Sequence, residues 1–202
     1  RSVPALSARQ ADEAAQALER QALKLGITIN AMGQGFDAYR EGDRLIFQDE
    51  DALYDLPLPR LAGAHQIDNA GLAIKAALTL GLEIHAIETG LTTAVWPGRL
   101  QALKAGPLYN ALPAKDSELW LDGGHNPHAA RALRDFIDQI QARDPKPLHM
   151  ICGLINTKDA AEFFASFEGL KADISCVSFS SDAAIPPAEL MAAAQNKGLE
   201  AV

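Results

Sequence analysis

The 202-residue chain carries a net charge of −8, with 48% hydrophobic and 22% charged residues. That is the composition of a folded soluble protein, neither disordered nor collagen-like. The acidic balance excludes bulk attraction to nucleic acid or an anionic membrane surface, no apolar run approaches a membrane span, and residues 1–20 hold no signal-peptide core.

In chain order, Ser7 is placed to cap a helix over about residues 8–25. Ala11, Ala14, Ala15, Leu18, Ala22 and Leu25 form its apolar stripe, and Gly26 stops it. "ITINAMG" reads as a strand, "FDAYREGDRLIFQ" as two short strands around "EGDR", and "LPLPR" as a proline-stiffened connector. Helices follow over about 65–80, ended by Gly81, and about 83–94. "WPGR", residues 96–99, breaks the pattern and marks a domain boundary, giving domains 1–95 and 96–202.

Beyond the break, strands and helices alternate: strand 118–122 and helix 127–141, strand 148–153 and helix 158–168, strand 173–179 and helix 187–197. That alternation predicts an α/β fold with a mostly parallel sheet, whose ligands gather at the carboxyl ends of the strands. Cys152 and Cys176 each sit in an apolar run and read as buried reduced thiols on neighbouring strands, which fits a cytoplasmic protein.

Four stretches could carry chemistry. In "LDGGHNPHAARAL", residues 121–133, Asp122 and His125 lie on a strand-to-helix turn, where an acid can accept from ribose hydroxyls and a histidine can face an anion. Asn126 and Pro127 suit the helix start. The same residues also suit a plain capped turn, and the H-x-x-H of His125 and His128 lacks further metal ligands. In "AGAHQIDNAGLAIKAAL", His65 and Asn69 share one face of a helix's first turn, and an asparagine amide suits an adenine edge; a capped core helix is the simpler alternative. Arg99 of "WPGRLQ" and Lys158 of "GLINTKDAAEFF" could meet phosphate or carboxylate oxygens, or simply be solvated.

Taken in this order and spacing, "LAGAHQIDNAGLAIKAA", "WPGRLQ", "LDGGHNPHAARAL" and "GLINTKD" resemble the folylpolyglutamate synthase/dihydrofolate synthase family of the Mur ligase superfamily, over about residues 1–190. The resemblance implies the end of a central ATPase domain followed by a Rossmann-like α/β carboxyl-terminal domain. It implies an ATP-dependent carboxylate–amine ligase, which adds L-glutamate to dihydropteroate or (tetrahydro)folate through an acyl phosphate and acts as a monomer. Asn69 would then meet adenine, His65 support the nucleotide site, Arg99 meet nucleotide phosphate or ribose, Asp122 hold the ribose hydroxyls, His125 sit near the acyl phosphate and glutamate, and Lys158 match the lysine of a K-D pair.

The family's cofactors are ATP and Mg2+, and no residue of this chain is assigned to the metal. The G-x-x-G-K-[ST] phosphate loop is not among these residues, and the magnesium-binding acid and carbamylated lysine of the family lie before "SVPAL". "SFSSDAA", with Asp182, stands where the family has an arginine, which leaves Ser180 and Ser181 as weak candidates on the glutamate side. The chain therefore reads as a piece of a ligase, inactive by itself. Another Mur-type ligase, an inactive nucleotide-binding module and a metal hydrolase using His125 and His128 are the competing readings.

Overall fold

A computed structural model describes residues 4–114, 116–156 and 159–202. The chain divides into two compact units, Arg1–Pro97 and Gly98–Val202.

The first unit opens with strand β1 (Ala5–Ser7), helix α1 (Asp12–Leu25) and strand β2 (Ile29–Ala31), and β1 and β2 pair in parallel. Ser7 is the end of a strand rather than a helix cap. Its carbonyl accepts from Met32 N at 2.9 Å, so sheet pairing claims the backbone that the cap would have used, and α1 starts later with no side-chain cap. Strands β3 (Phe36–Glu41), β4 (Arg44–Asp49) and β5 (Leu53–Pro57) form an antiparallel meander. The expected connector "LPLPR" thus begins inside β5, an edge strand, where a proline removes no ladder bond that a neighbour needs.

Helices α2 (His65–Thr79) and α3 (Ile84–Thr93) cover this sheet, close to the expected ranges. The core joins Leu45, Phe47 and Leu56 to Ile74, Ile87 and Leu91. Gly71 lets α2 approach β3: a Cβ there would stand 2.5 Å from Ala38 Cβ. Lys75 of α2 reaches Asp49 at the end of β4 (2.8 Å), both side chains being largely buried.

In the second unit, β6 (Gln101–Leu103) leads through the short helix α4 (Pro107–Asn110) to β7 (Leu119–Leu121). Then follow α5 (Pro127–Arg143), β8 (His149–Cys152), α6 (Ala160–Ala165), β9 (Asp173–Cys176), α7 (Pro187–Gln195) and β10 (Glu200–Ala201). Strands β8, β9 and β10 form the parallel sheet, in the order β10-β9-β8. The alternation of the sequence is therefore a true α/β arrangement. Strand β7 departs from the expectation, because it pairs antiparallel with β6 (Ala102 opposite Trp120). Three residues of β6 are too few to carry a periodic signal.

The core here is built on Phe163, Phe164 and Phe167 against Ile174, Leu190 and Ala130. Cys152 and Cys176 face each other in register across β8 and β9, both free and buried. Burial, with a smaller push from Cys176, raises the Cys152 thiol to about 12, and burial also raises Cys176. Both are protonated, poor nucleophiles at neutral pH.

Candidate functional site

In the first unit, three side chains at the start of α2 form a relay. Gln66 is buried, at 6% exposure. Its Nε2 lies 2.8 Å from His65 Nε2, and its Oε1 accepts from Asn69 Nδ2 at 3.1 Å. The helix spacing that put His65 and Asn69 on one face also brings Gln66 between them. Asn69 is exposed and, with Gln66, forms the polar end of an otherwise apolar cavity of about 370 Å3 walled by Pro59, Leu61, Ala73 and Ile87. An apolar cleft with a few converging polar groups is the usual form of a small-molecule site. Sequence reasoning singled out His65 and Asn69 but passed over Gln66. Its signal was a glutamine on the core-facing side of an Ala-rich helix.

In the second unit, β7 delivers the chain to the turn 122–126, and α5 takes it away. Asn126 caps α5 as expected: its Oδ1 accepts from Ala129 N at 2.9 Å, and Pro127 occupies the first helical position. Asp122 does something the sequence did not show. Its Oδ2 accepts from Leu100 N at 2.8 Å and its Oδ1 from Gly124 N at 2.7 Å. Gly123 N donates to Gly98 O at 2.7 Å, and Gly98 N donates to Gln101 Oε1 at 3.0 Å. The "WPGRLQ" and "LDGGHN" stretches are thus laced together.

The lacing explains both local oddities of these stretches. Leu100 is buried with φ 41°, an unfavourable region for a branched side chain, and the Asp122 carboxylate holds its N–H in place. A Cβ on Gly124 would come within 2.6 Å of Asp122 Oδ1, so the carboxylate needs a glycine there. Arg99 is exposed and adjoins the clamped Leu100, while His125 is exposed with Nδ1 2.9 Å from Gly123 O. Asp122, Arg99 and His125 therefore share one loop cluster. Lys158 falls outside the described residues. His65 and Asn69 are described within the first unit alone.

Among the described residues, no group of three or more His, Cys, Asp or Glu side chains is placed to hold a metal ion. Also among the described residues, no helix is long and apolar enough to cross a membrane.

No family model matches the chain. It is 26% identical over 193 residues to the dihydrofolate synthase/folylpolyglutamate synthase of Bacillus subtilis, a match covering 85% of this chain and 43% of the relative. Its neighbours consistently point to folylpolyglutamate synthase/dihydrofolate synthase. A probable bifunctional folylpolyglutamate synthase/dihydropteroate synthase of Haloferax volcanii is 30% identical over 124 residues, 60% of this chain and 13% of that protein.

Among solved structures, the Mycobacterium tuberculosis folylpolyglutamate synthase complexed with ADP matches with a TM-score of 0.79 at 20% identity. That match covers all of this chain and 45% of that one. Escherichia coli FolC in complex with DHPP and ADP matches with a TM-score of 0.79 at 21% identity, covering 100% and 44%. At these identities the structural likeness establishes the fold. The chain spans less than half the length of these relatives.

Proposed function

We propose that the chain is part of an ATP-dependent amide ligase that adds L-glutamate to dihydropteroate or (tetrahydro)folate. Residues 1–95 are read as the end of its central ATPase domain and 96–202 as most of its carboxyl-terminal domain. The observation that carries the reading is the order and spacing of four strings, from "GAHQIDNA" to "GLINTKD", in a chain whose curated relatives bear these enzyme names. The fold and the relatives' bound ADP, DHPP, AMPPNP and L-glutamate are consistent with it.

In the proposed reaction a carboxylate oxygen of the pterin-linked substrate attacks the terminal phosphorus of ATP, and ADP leaves. The glutamate amine then attacks the acyl carbon, phosphate leaves, and an amide remains. Such catalysis is mostly positioning and charge stabilisation. Asn69 contacts the adenine at the polar end of its apolar cavity, with His65 in support. Asp122 accepts from ribose hydroxyls, for which a carboxylate already holding two backbone N–H groups retains lone pairs. Arg99 meets phosphate or ribose oxygens, and His125 lies near the acyl phosphate and the glutamate. Lys158 is assigned by motif alone.

Mg2+, when bound, would neutralise phosphate charge, and its ligands are assigned outside this sequence. The proposed protein is a cytoplasmic monomer with no nucleic-acid or membrane partner.

The test is glutamate-dependent ADP formation from ATP with dihydropteroate or tetrahydrofolate. The protein captured from its source cells through an antibody to this chain is expected to turn over, and the 202 residues alone are not. A captured protein that releases no ADP with any folate would overturn the reading. Such a result, with ADP still bound, would favour a nucleotide-binding module.

A further inference from the structure

We propose that Gln66 is a positioning residue that fixes the amide orientation of Asn69 and the tautomer of His65, and through Asn69 sets selectivity for a 6-amino over a 6-oxo purine. The inference rests on the reading of Asn69 as the adenine contact. It begins with the burial of Gln66: at 6% exposure its carboxamide has little access to water, so both ends must find partners inside the protein. They do, at 2.8 Å from His65 Nε2 and 3.1 Å from Asn69 Nδ2.

With its oxygen toward Asn69 and its nitrogen toward His65, Gln66 sets one arrangement of protons. A carboxamide NH2 only donates, so the His65 Nε2 it meets must carry a lone pair, which makes the ring neutral with its proton on Nδ1. The carboxamide oxygen only accepts, so Asn69 spends one Nδ2 hydrogen on it. Asn69 then offers one donor and one acceptor outward, Nδ2–H and Oδ1, in fixed positions.

That pair matches the Watson–Crick edge of adenine, whose 6-amino group donates and whose N1 accepts. Guanine reverses the pattern: its 6-oxo group accepts and its neighbouring N1–H donates. An asparagine free to flip its amide could read either base, whereas one held by Gln66 cannot. The apolar walls of the cavity sharpen the choice, because they offer a mismatched polar edge no alternative partner.

The experiment combines two readouts on the intact protein of which these residues are proposed to be a part. The first is the His65 ring tautomer from long-range 1H–15N NMR. The second is the ratio of ADP to GDP affinity by calorimetry. In the unaltered protein, His65 is expected to hold its proton on Nδ1 at neutral pH, and ADP to bind better than GDP. Gln66→Met keeps the volume and removes both bonds, and should lower the ADP:GDP preference about tenfold, the worth of one well-placed hydrogen bond.

Gln66→Glu still accepts from Asn69, so base preference should survive, but its second oxygen must receive a proton from His65 Nε2. The tautomer or charge of His65 should therefore change. A merely structural glutamine would not split the two readouts in this way. A proton on His65 Nε2 in the unaltered protein overturns the relay, whatever the nucleotide result. An unchanged ADP:GDP preference in a folded Gln66→Met variant overturns the selectivity. Failure of the unaltered intact protein to bind ADP, with the Nδ1–H tautomer present, overturns selectivity and the nucleotide reading together, while leaving the tautomer assignment intact.

Discussion

The two candidate sites use their polar groups in opposite ways. At the start of α2, side chains bond to side chains, and Asn69 keeps a donor and an acceptor facing outward. In the 98–126 cluster, Asp122 turns both carboxylate oxygens inward, onto the N–H groups of Leu100 and Gly124. A motif residue can thus be a reader at one site and a staple at the other. The two roles separate under mutation: removing a reader costs recognition and little stability, and removing a staple costs stability first.

The first unit has a staple of its own, and it supplies the largest expected effect. Lys75→Met leaves Asp49 buried without its cation, although Asp51 N and Ala52 N still donate to it at 3.0 and 3.1 Å. A loss of about 3 kcal/mol is expected in urea denaturation. Asp122→Ala comes next. It frees two N–H groups and releases Leu100 from its positive φ, for a loss of about 2 kcal/mol. Trp120 fluorescence in a Trp96→Phe background would follow that transition. A value within about 0.5 kcal/mol of the parent would break the contrast, because Asp122 would then not be a staple.

Asn69→Ala should cost about 1 kcal/mol, less than either staple, because it takes the donor from the buried Gln66 Oε1, while weakening ADP binding about tenfold. A large stability loss with unchanged binding would reverse the roles of the two sites.

The smallest effect is one of pH. Burial alone would raise the Asp49 pKa, but hydrogen bonds from Lys75, Asp51 and Ala52 outweigh it and hold the carboxyl below the ordinary 3.8. A lowered folded pKa means that the unfolded chain binds the proton more readily. The stabilisation is full above the unfolded value and is lost as pH falls through the folded one. Urea midpoints measured from about pH 6 down to pH 2 should fall more steeply for the parent than for Asp49→Asn.

Much of this molecule was legible in the sequence because its signals are local. The Asn126–Pro127 start of α5, the range of α2 and the strand–helix alternation after Gly98 all follow from capping chemistry and a 3.6-residue period. What was missed is non-local or short. Ser7 lost its cap role to a pairing with β2, 24 positions away, and β6 spans three residues. The Asp122–Leu100 bond spans 22 positions, so nothing in "LDGGHN" alone shows that its acid is already engaged. Gln66 was visible as a letter but not as a buried group, because burial belongs to the packed helix.

The central claim is that Asn69 reads an adenine edge at the mouth of the α2–α3 cavity, and the most direct measurement is an ADP titration of the intact protein followed by 1H–15N NMR. The account predicts that the Asn69 side-chain amide shifts and saturates with ADP, and that Asn69→Ala weakens the binding. Saturable ADP binding that leaves the Asn69 amide unmoved, or no binding at all, would contradict it.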